Sequence, residues 1–301
     1  IKCLIAEKNK STVQEPRAVS IDDESLRTIQ LCDLEEKVMN NIQEDYGSIY
    51  YTGDDKGTIF ANVNPKTIEY GFPRRNAFRQ PILEDTLKRG LYRFSSCVKT
   101  LYEYQLIDIK RNCDNELINC TFKNLKNSKT EIITCKYLLG CDGASSFVRH
   151  FLKIKLDGMT FDNQRWLIID IENTKDYTRE TKVFCNTERS GISLPGPNGT
   201  RRFEFRLKPD IIKEQDDNYC TSFSFVRSLL SKYGHKDIDA KIIRKTVYHF
   251  HARIANKWSV DNCIFLLGDA AHLTPPFAGQ GMNSGIRDAT NLCWKLSYVI
   301  N

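Results

Sequence analysis

The residues best placed to do chemistry lie between Cys263 and Ile300, CIFLLGDAAHLTPPFAGQGMNSGIRDATNLCWKLSYVI. Asp269 follows an apolar run, Cys263 to Leu267, and the turn residue Gly268. A carboxylate at the end of a strand can accept hydrogen bonds from ligand hydroxyls. Pro275, Pro276, Gly279 and Gly281 then form a loop leading into Met282 and Asn283. Its glycines let the backbone approach a flat ligand and adopt dihedrals that other residues avoid. If the next segment is a helix, its first amides, around Gly281 to Asn283, have no internal partner and stand at the positive end of the dipole. Together these groups suit a polar, partly anionic ligand.

The elements that must position them are legible from spacing. Cys263 to Leu267 is too short for a core helix and reads as a buried strand. Met282, Ile286, Ala289, Cys293, Leu296 and Ile300 alternate spacings of four and three, one face of a helix. A second stretch has the same form: YLLGCDGASSFVR, Tyr137 to Arg149, is an apolar strand running into Asp142 and Gly143, with a short helix carrying Phe147 and Val148 behind them.

GDAAHLTPPFAGQGMN with GIRDATNLCWKL resembles the second flavin motif of the single-component FAD-dependent aromatic hydroxylases, the family typified by 4-hydroxybenzoate hydroxylase. Within it the chain is most similar to the 3-(3-hydroxyphenyl)propionate hydroxylase branch. DGASSFVR resembles the family's DGxxSxVR motif, EPRAV its PRAV-type segment, and FRQPILEDTLKRGL its FxQPxLExxLxxGL helix. The resemblance implies FAD as cofactor and NADH or NADPH as electron donor. It implies FAD contacts at Arg17, Gln80, Asp142, Gly143, Gly268, Asp269, Pro276, Gly279, Gly281, Met282 and Asn283, with Pro275 at the edge facing substrate. On residue type alone Arg17 can also be a surface arginine, Gln80 an exposed N-cap, and Arg149 a tie between helix and sheet.

The chain starts in IKCLIAEKN, an apolar strand ending at Glu7. In a dinucleotide fold an acidic residue there binds the adenosine ribose, about twenty residues after a GxGxxG loop; this assigns Glu7 to FAD. No GxGxxG occurs in the sequence. The parallel sheet is therefore expected to have a gap at its middle strand, and the chain is expected to be truncated at both ends.

The expected fold is α/β: a Rossmann-like FAD-binding domain, with first strand and GxGxxG missing, at residues 1–45, 76–150 and 251–301, and an inserted antiparallel β-sheet substrate domain at 46–75 and 151–250. A capping box at Ser20 and Asp23 predicts a helix through about Gln43. Arg202 and Glu204 in RRFEFRL alternate onto one strand face. Arg202 could meet a substrate carboxylate or form half of a surface cross-strand pair. His249, His251 and Arg253 alternate on a strand without a carboxylate or cysteine at convincing spacing, so no metal site is expected. His272 is expected to brace the turn rather than act as a base.

The 301 residues, 41% of them hydrophobic, can build a substantial core. A net charge of +6 comes from 44 basic and 38 acidic residues spread along the chain, which argues against a nucleic-acid or membrane footprint. The 11 cysteines form no CxxC pair and are odd in number, so reduced thiols in a cytoplasmic protein are expected. The implied activity is hydroxylation of a phenolic aromatic acid, such as a 3-hydroxyphenylpropionate-like substrate, with molecular oxygen. The alternative is a truncated, non-catalytic remnant that binds a partner or does not fold stably. No catalytic base is identifiable.

Overall fold

Alternating strands and short helices build two units in a computed structural model that describes residues 1–44, 47–65, 67–112, 116–208, 216–276 and 279–301. In chain order the elements are β1 (Cys3–Glu7), β2 (Ser20–Asp22), α1 (Asp23–Leu31), α2 (Glu35–Met39), β3 (Ile42–Glu44), β4 (Ser48–Thr52), β5 (Ile59–Val63), β6 (Arg75–Phe78) and α3 (Gln80–Leu91). Then come β7 (Val98–Tyr102), β8 (Tyr104–Asn112), β9 (Leu117–Asn124), β10 (Thr130–Cys135), β11 (Leu138–Gly140), α4 (Phe147–Phe151), β12 (Leu156–Glu172), β13 (Thr181–Cys185), β14 (Gly191–Pro195) and β15 (Thr200–Arg206). The chain closes with α5 (Asp217–Cys220), α6 (Phe223–Tyr233), β16 (Lys241–Ala255), β17 (Ser259–Val260), β18 (Ile264–Leu266), β19 (His272–Leu273) and α7 (Gln280–Ile300).

Unit 1 comprises residues 1–13, 84–159 and 251–301. Its parallel pairs, β1 with β7 and β11 with β18, lie in two sheets, and β17 adds to β18 antiparallel. The antiparallel β8–β9–β10 sheet presents Ile118, Cys120 and Phe122 to a core shared with Val148, Ile264 and Leu266. Alternation explains this: every second residue of β9 is buried.

Unit 2 comprises residues 14–83 and 160–250. Its main sheet runs β16–β12–β15–β14–β13–β4–β5. Leu167, Ile169 and Ile171 of β12, with Phe203 and Phe205 of β15, turn to one face and pack against Leu229, Leu230 and Tyr233 of α6. The other face carries Trp166, Ile168 and Asp170. A small β2–β6–β3 sheet joins residues 20–22 and 42–44 to 75–78. Residues 14–44 and 76–83 cluster with unit 2, whereas the sequence reading groups them with the segments of unit 1.

The helix expected to run to about Gln43 is two short ones. Asp22, not Ser20, caps α1, its carboxylate accepting from the Ser25 amide at 2.9 Å. The chain then breaks at Asp33, in the left-handed region at φ 52°, a conformation that Asp tolerates better than most residues. Among the described residues ten cysteines stand outside any disulfide, and Cys113 lies outside the described residues. Among the described residues no helix is long and apolar enough to cross a membrane.

Candidate functional site

In unit 1, β11 and β18 are parallel neighbours, with Leu138 opposite Ile264 and Gly140 opposite Leu266. Both strands therefore leave the sheet at the same end, which puts Asp142 and Gly143 beside Gly268 and Asp269. The Leu267 amide donates to the Gly140 carbonyl at 3.1 Å. Arg149, 3% exposed, reaches from α4 to the Ala270 carbonyl at 2.9 Å and the Ala144 carbonyl at 2.6 Å. It is the tie between the two motifs. Asp142 accepts from the Val148 amide at 3.0 Å and from the Ser146 hydroxyl, which in turn caps the Arg149 amide at 3.0 Å.

The Gly268–Ala270 segment is a single 3₁₀ turn with Gly268 at φ 57°. Helix α7 packs directly on it: a methyl group at Gly285 would come within 3.3 Å of the Gly268 Cα. One Asp288 oxygen accepts from the Gly268 amide at 2.8 Å and lies 2.7 Å from His272 Nε2. His272 is buried and stacks on Trp258, ring centres 5.3 Å apart. It braces the turn through Asp288, while Asp269 stands exposed at the tip.

Helix α7 starts one residue earlier than expected, at Gln280, behind Gly279 at φ 65°. The unusual dihedral expected of both loop glycines belongs to Gly279 alone; Gly281 is helical. Asn283, 1% exposed, donates its side-chain amide to the Gly279 carbonyl at 2.9 Å. Met282 and Pro275 are half-buried and Pro276 is exposed; residues 277 and 278 lie outside the described set. Glu7 ends β1, which among the described residues pairs with β7 alone, and accepts from the Asn9 amide at 2.8 Å and the Asn9 side chain at 2.7 Å.

In unit 2, Arg17 is exposed, and Gln80 accepts from the Ala18 amide at 2.8 Å. Arg202 forms a cross-strand pair, as one of the two sequence readings has it, but a buried one. It is neither on the surface nor open to a substrate carboxylate, because Asp170, opposite it on β12, binds its guanidinium at 2.6 and 3.0 Å. Burial pushes the Glu204 carboxyl on the same face up to about 6, against the pull of Arg202 3.9 Å away.

A family model described as FAD binding domain matches residues 1–301. The chain belongs to this family. It is 38% identical over 300 residues to a 3-(3-hydroxy-phenyl)propionate/3-hydroxycinnamic acid hydroxylase of Comamonas testosteroni, covering 100% of the chain and 49% of that protein. A protein of the same name from Escherichia coli O81 (strain ED1a) is 37% identical over 300 residues, 52% of its length. The chain thus spans about half the length of the curated relatives it matches. Among solved structures, p-nitrophenol 4-monooxygenase PnpA from Pseudomonas putida DLL-E4 superposes with a TM-score of 0.86 at 17% identity, over 100% of this chain and 74% of that one. Aklavinone-11 hydroxylase with FAD and aklavinone gives 0.83 at 19% identity, over 100% and 58%. The α/β fold is that of the flavin monooxygenases.

The unit 1 residues fit the flavin dinucleotide that gives the family its name. Gly143, at φ 79°, has nothing within 4 Å of where a Cβ would sit, so the backbone there is open to close approach. Asp269 offers an exposed acceptor at a strand end, and α7 opens behind a left-handed glycine that brings no capping side chain. Asp288 escaped the sequence reading although it lies in GIRDATN. Its signal was a carboxylate on the α7 face that includes Gly281, Ser284 and Gly285. Asp288→Ala should cost about 2–4 kcal/mol of unit 1 stability, two charge-assisted bonds being lost, and Asp288→Asn should recover part of it. Urea melts of the two variants check this; equal melting of Asp288→Ala and the parent would remove Asp288 from the brace.

Proposed function

We propose that this chain is the FAD-binding and substrate-covering part of a monooxygenase that uses NADH or NADPH and molecular oxygen to hydroxylate a phenolic aromatic acid of the 3-hydroxyphenylpropionate kind. The observation that carries this reading is the parallel β11–β18 pair, which sets Asp142–Gly143 and Gly268–Asp269 side by side at one sheet end. In open α/β sheets ligands bind at the carboxyl ends of the strands. The names of the relatives and the resemblance of the motifs support the same reading. A cytoplasmic location goes with it.

When bound, FAD would supply the redox chemistry that links a nicotinamide donor to oxygen. The chain's own residues bind and orient. Asp269 accepts hydrogen bonds from ligand hydroxyls, and the first amides of α7, Gln280 to Asn283, offset negative charge on the bound cofactor. Gly143, Gly268 and Gly279 let the backbone approach the ligand, and Pro275 and Pro276 give a rigid edge that helps exclude water. Glu7, Arg17 and Gln80 join the FAD contacts on the strength of the resemblance. Arg202 is not carried forward as a substrate contact, since Asp170 and backbone carbonyls occupy its guanidinium.

The full protein should purify yellow, with a flavin absorbance spectrum. It should form a hydroxylated product from 3-hydroxyphenylpropionate with matching consumption of NADH or NADPH. A colourless protein that FAD cannot reconstitute would overturn the proposal and favour a non-catalytic remnant.

A further inference from the structure

Unit 2 contains a buried charge cluster that FAD binding alone does not explain. Arg202, 6% exposed, donates Nε and Nη2 to Asp170, and also donates Nη1 to the Arg17 carbonyl at 2.7 Å and Nη2 to the Pro16 carbonyl. Arg244, its side chain 8% exposed, donates Nη1 to the same Pro16 carbonyl at 2.9 Å and lies 3.4 Å from Asp170 Oδ2. The next amide along, Ala18, donates to Gln80. Three consecutive residues thus have their backbone fixed by side chains of β15, β16 and α3.

Holding two guanidiniums and a carboxylate out of water costs free energy that well-packed apolar residues would not. Apolar residues could fasten the sheet equally well; they could not grip two carbonyl oxygens at defined points. The forked, rigid guanidinium is suited to that task, with Asp170 setting the orientation of both forks. The gripped residue, Arg17, has its own side chain exposed, and its guanidinium makes no hydrogen bond or ion pair among the described residues.

We infer that Asp170, Arg202 and Arg244 form a carbonyl clamp that holds Pro16 and Arg17 so that the Arg17 guanidinium projects at a fixed point to meet an anionic group of the cofactor. They are positioning residues, acting through Arg17. The inference rests on the proposed role of Arg17 toward FAD, and it adds to that role a mechanism for keeping the side chain in place.

The test uses the full protein with FAD as probe and two measurements: amide hydrogen exchange over residues 14–19, and the FAD dissociation constant. Asp170→Asn should speed exchange over 14–19 about tenfold or more, with β13 and β14 unchanged, and should weaken FAD about tenfold. Arg17→Ala should weaken FAD similarly without altering exchange. The double variant should bind FAD no more weakly than Arg17→Ala alone. Should Asp170→Asn fold poorly, Arg202→Lys keeps the charge and loses the fork, and the same pattern is expected of it. Unchanged exchange over 14–19, or additive losses in the double variant, would overturn the clamp. If Arg17→Ala leaves FAD affinity intact while Asp170→Asn still loosens 14–19, the clamp stands as a holder of the segment and the assignment of Arg17 to FAD falls.

Discussion

Replacing Asp269 with alanine in the full protein is expected to weaken FAD retention by roughly 10- to 150-fold while leaving the melting temperature close to that of the parent. The size follows from the loss of a charge-assisted hydrogen bond to a ligand hydroxyl, about 1.5–3 kcal/mol. Stability should survive because Asp269 is the exposed residue of its turn. Its neighbours fasten that turn as well: the Gly268 amide is bound by Asp288 and the Ala270 carbonyl by Arg149. Asp269→Asn keeps an acceptor and loses the charge, so its retention should fall between the two. Flavin content after gel filtration, with fluorescence titration of FAD into the stripped protein, measures the effect. If Asp269→Ala retains FAD like the parent, Asp269 leaves the site and the turn becomes a structural element only.

The parts of this site legible in the sequence were those encoded locally. A strand, an aspartate and a glycine-bearing loop before a helix follow one another within a few dozen residues, and hydrophobic period distinguishes the strand from the helix. The strand pairing that unites the two motifs is not local. Nothing in YLLG or CIFLL states that they are parallel neighbours; only the resemblance implied it. Arg202 shows the same limit more sharply. A charged residue is seldom buried unless paired, so with its partner 32 positions away it reads as surface, and only the opposition of Asp170 to Arg202 shows otherwise. Asp288 is hidden in the sequence for a related reason. On a helix whose apolar face is plain, a carboxylate on the other side looks solvated until the turn it holds is seen. The pairing of β2 and β3 with β6 is likewise a long-range choice that the helical composition after Glu15 does not reveal.

Asp176→Ala is expected to cost unit 2 about 3–5 kcal/mol, the loss typical of leaving buried charges without their partner. Asp176 is 6% exposed, and its carboxylate takes a bond from Lys182, accepts from the Thr178 amide at 3.1 Å and lies 3.9 Å from Arg201. Arg201 in turn holds the carbonyls of Asp176 and Thr178 and the Ser193 hydroxyl, so removing the carboxylate strands two cations and frees the segment before β13. Burial pushes the Asp176 carboxyl up, but Arg201 and the bonds from Lys182 and Thr178 outweigh it and hold it well below its ordinary value of 3.8. The folded value lies below the unfolded one. This group's stabilisation is therefore present above about pH 4 and is lost as pH falls through the folded value. Glu204 has the opposite sign: its carboxyl is raised from 4.5 to about 6, so its contribution is full below the unfolded value and lost as pH rises through about 6. Taken together, the two groups give unit 2 a stability maximum near pH 4 to 4.5, between the ordinary values of 3.8 and 4.5, with a decline from there to about pH 6. Urea melts from pH 2.5 to 8 should show that maximum. Asp176→Asn should flatten the acid limb alone and Glu204→Gln the limb near pH 6 alone. An acid limb that keeps its slope in Asp176→Asn would show that other carboxylates govern acid unfolding and that the Asp176 network does not.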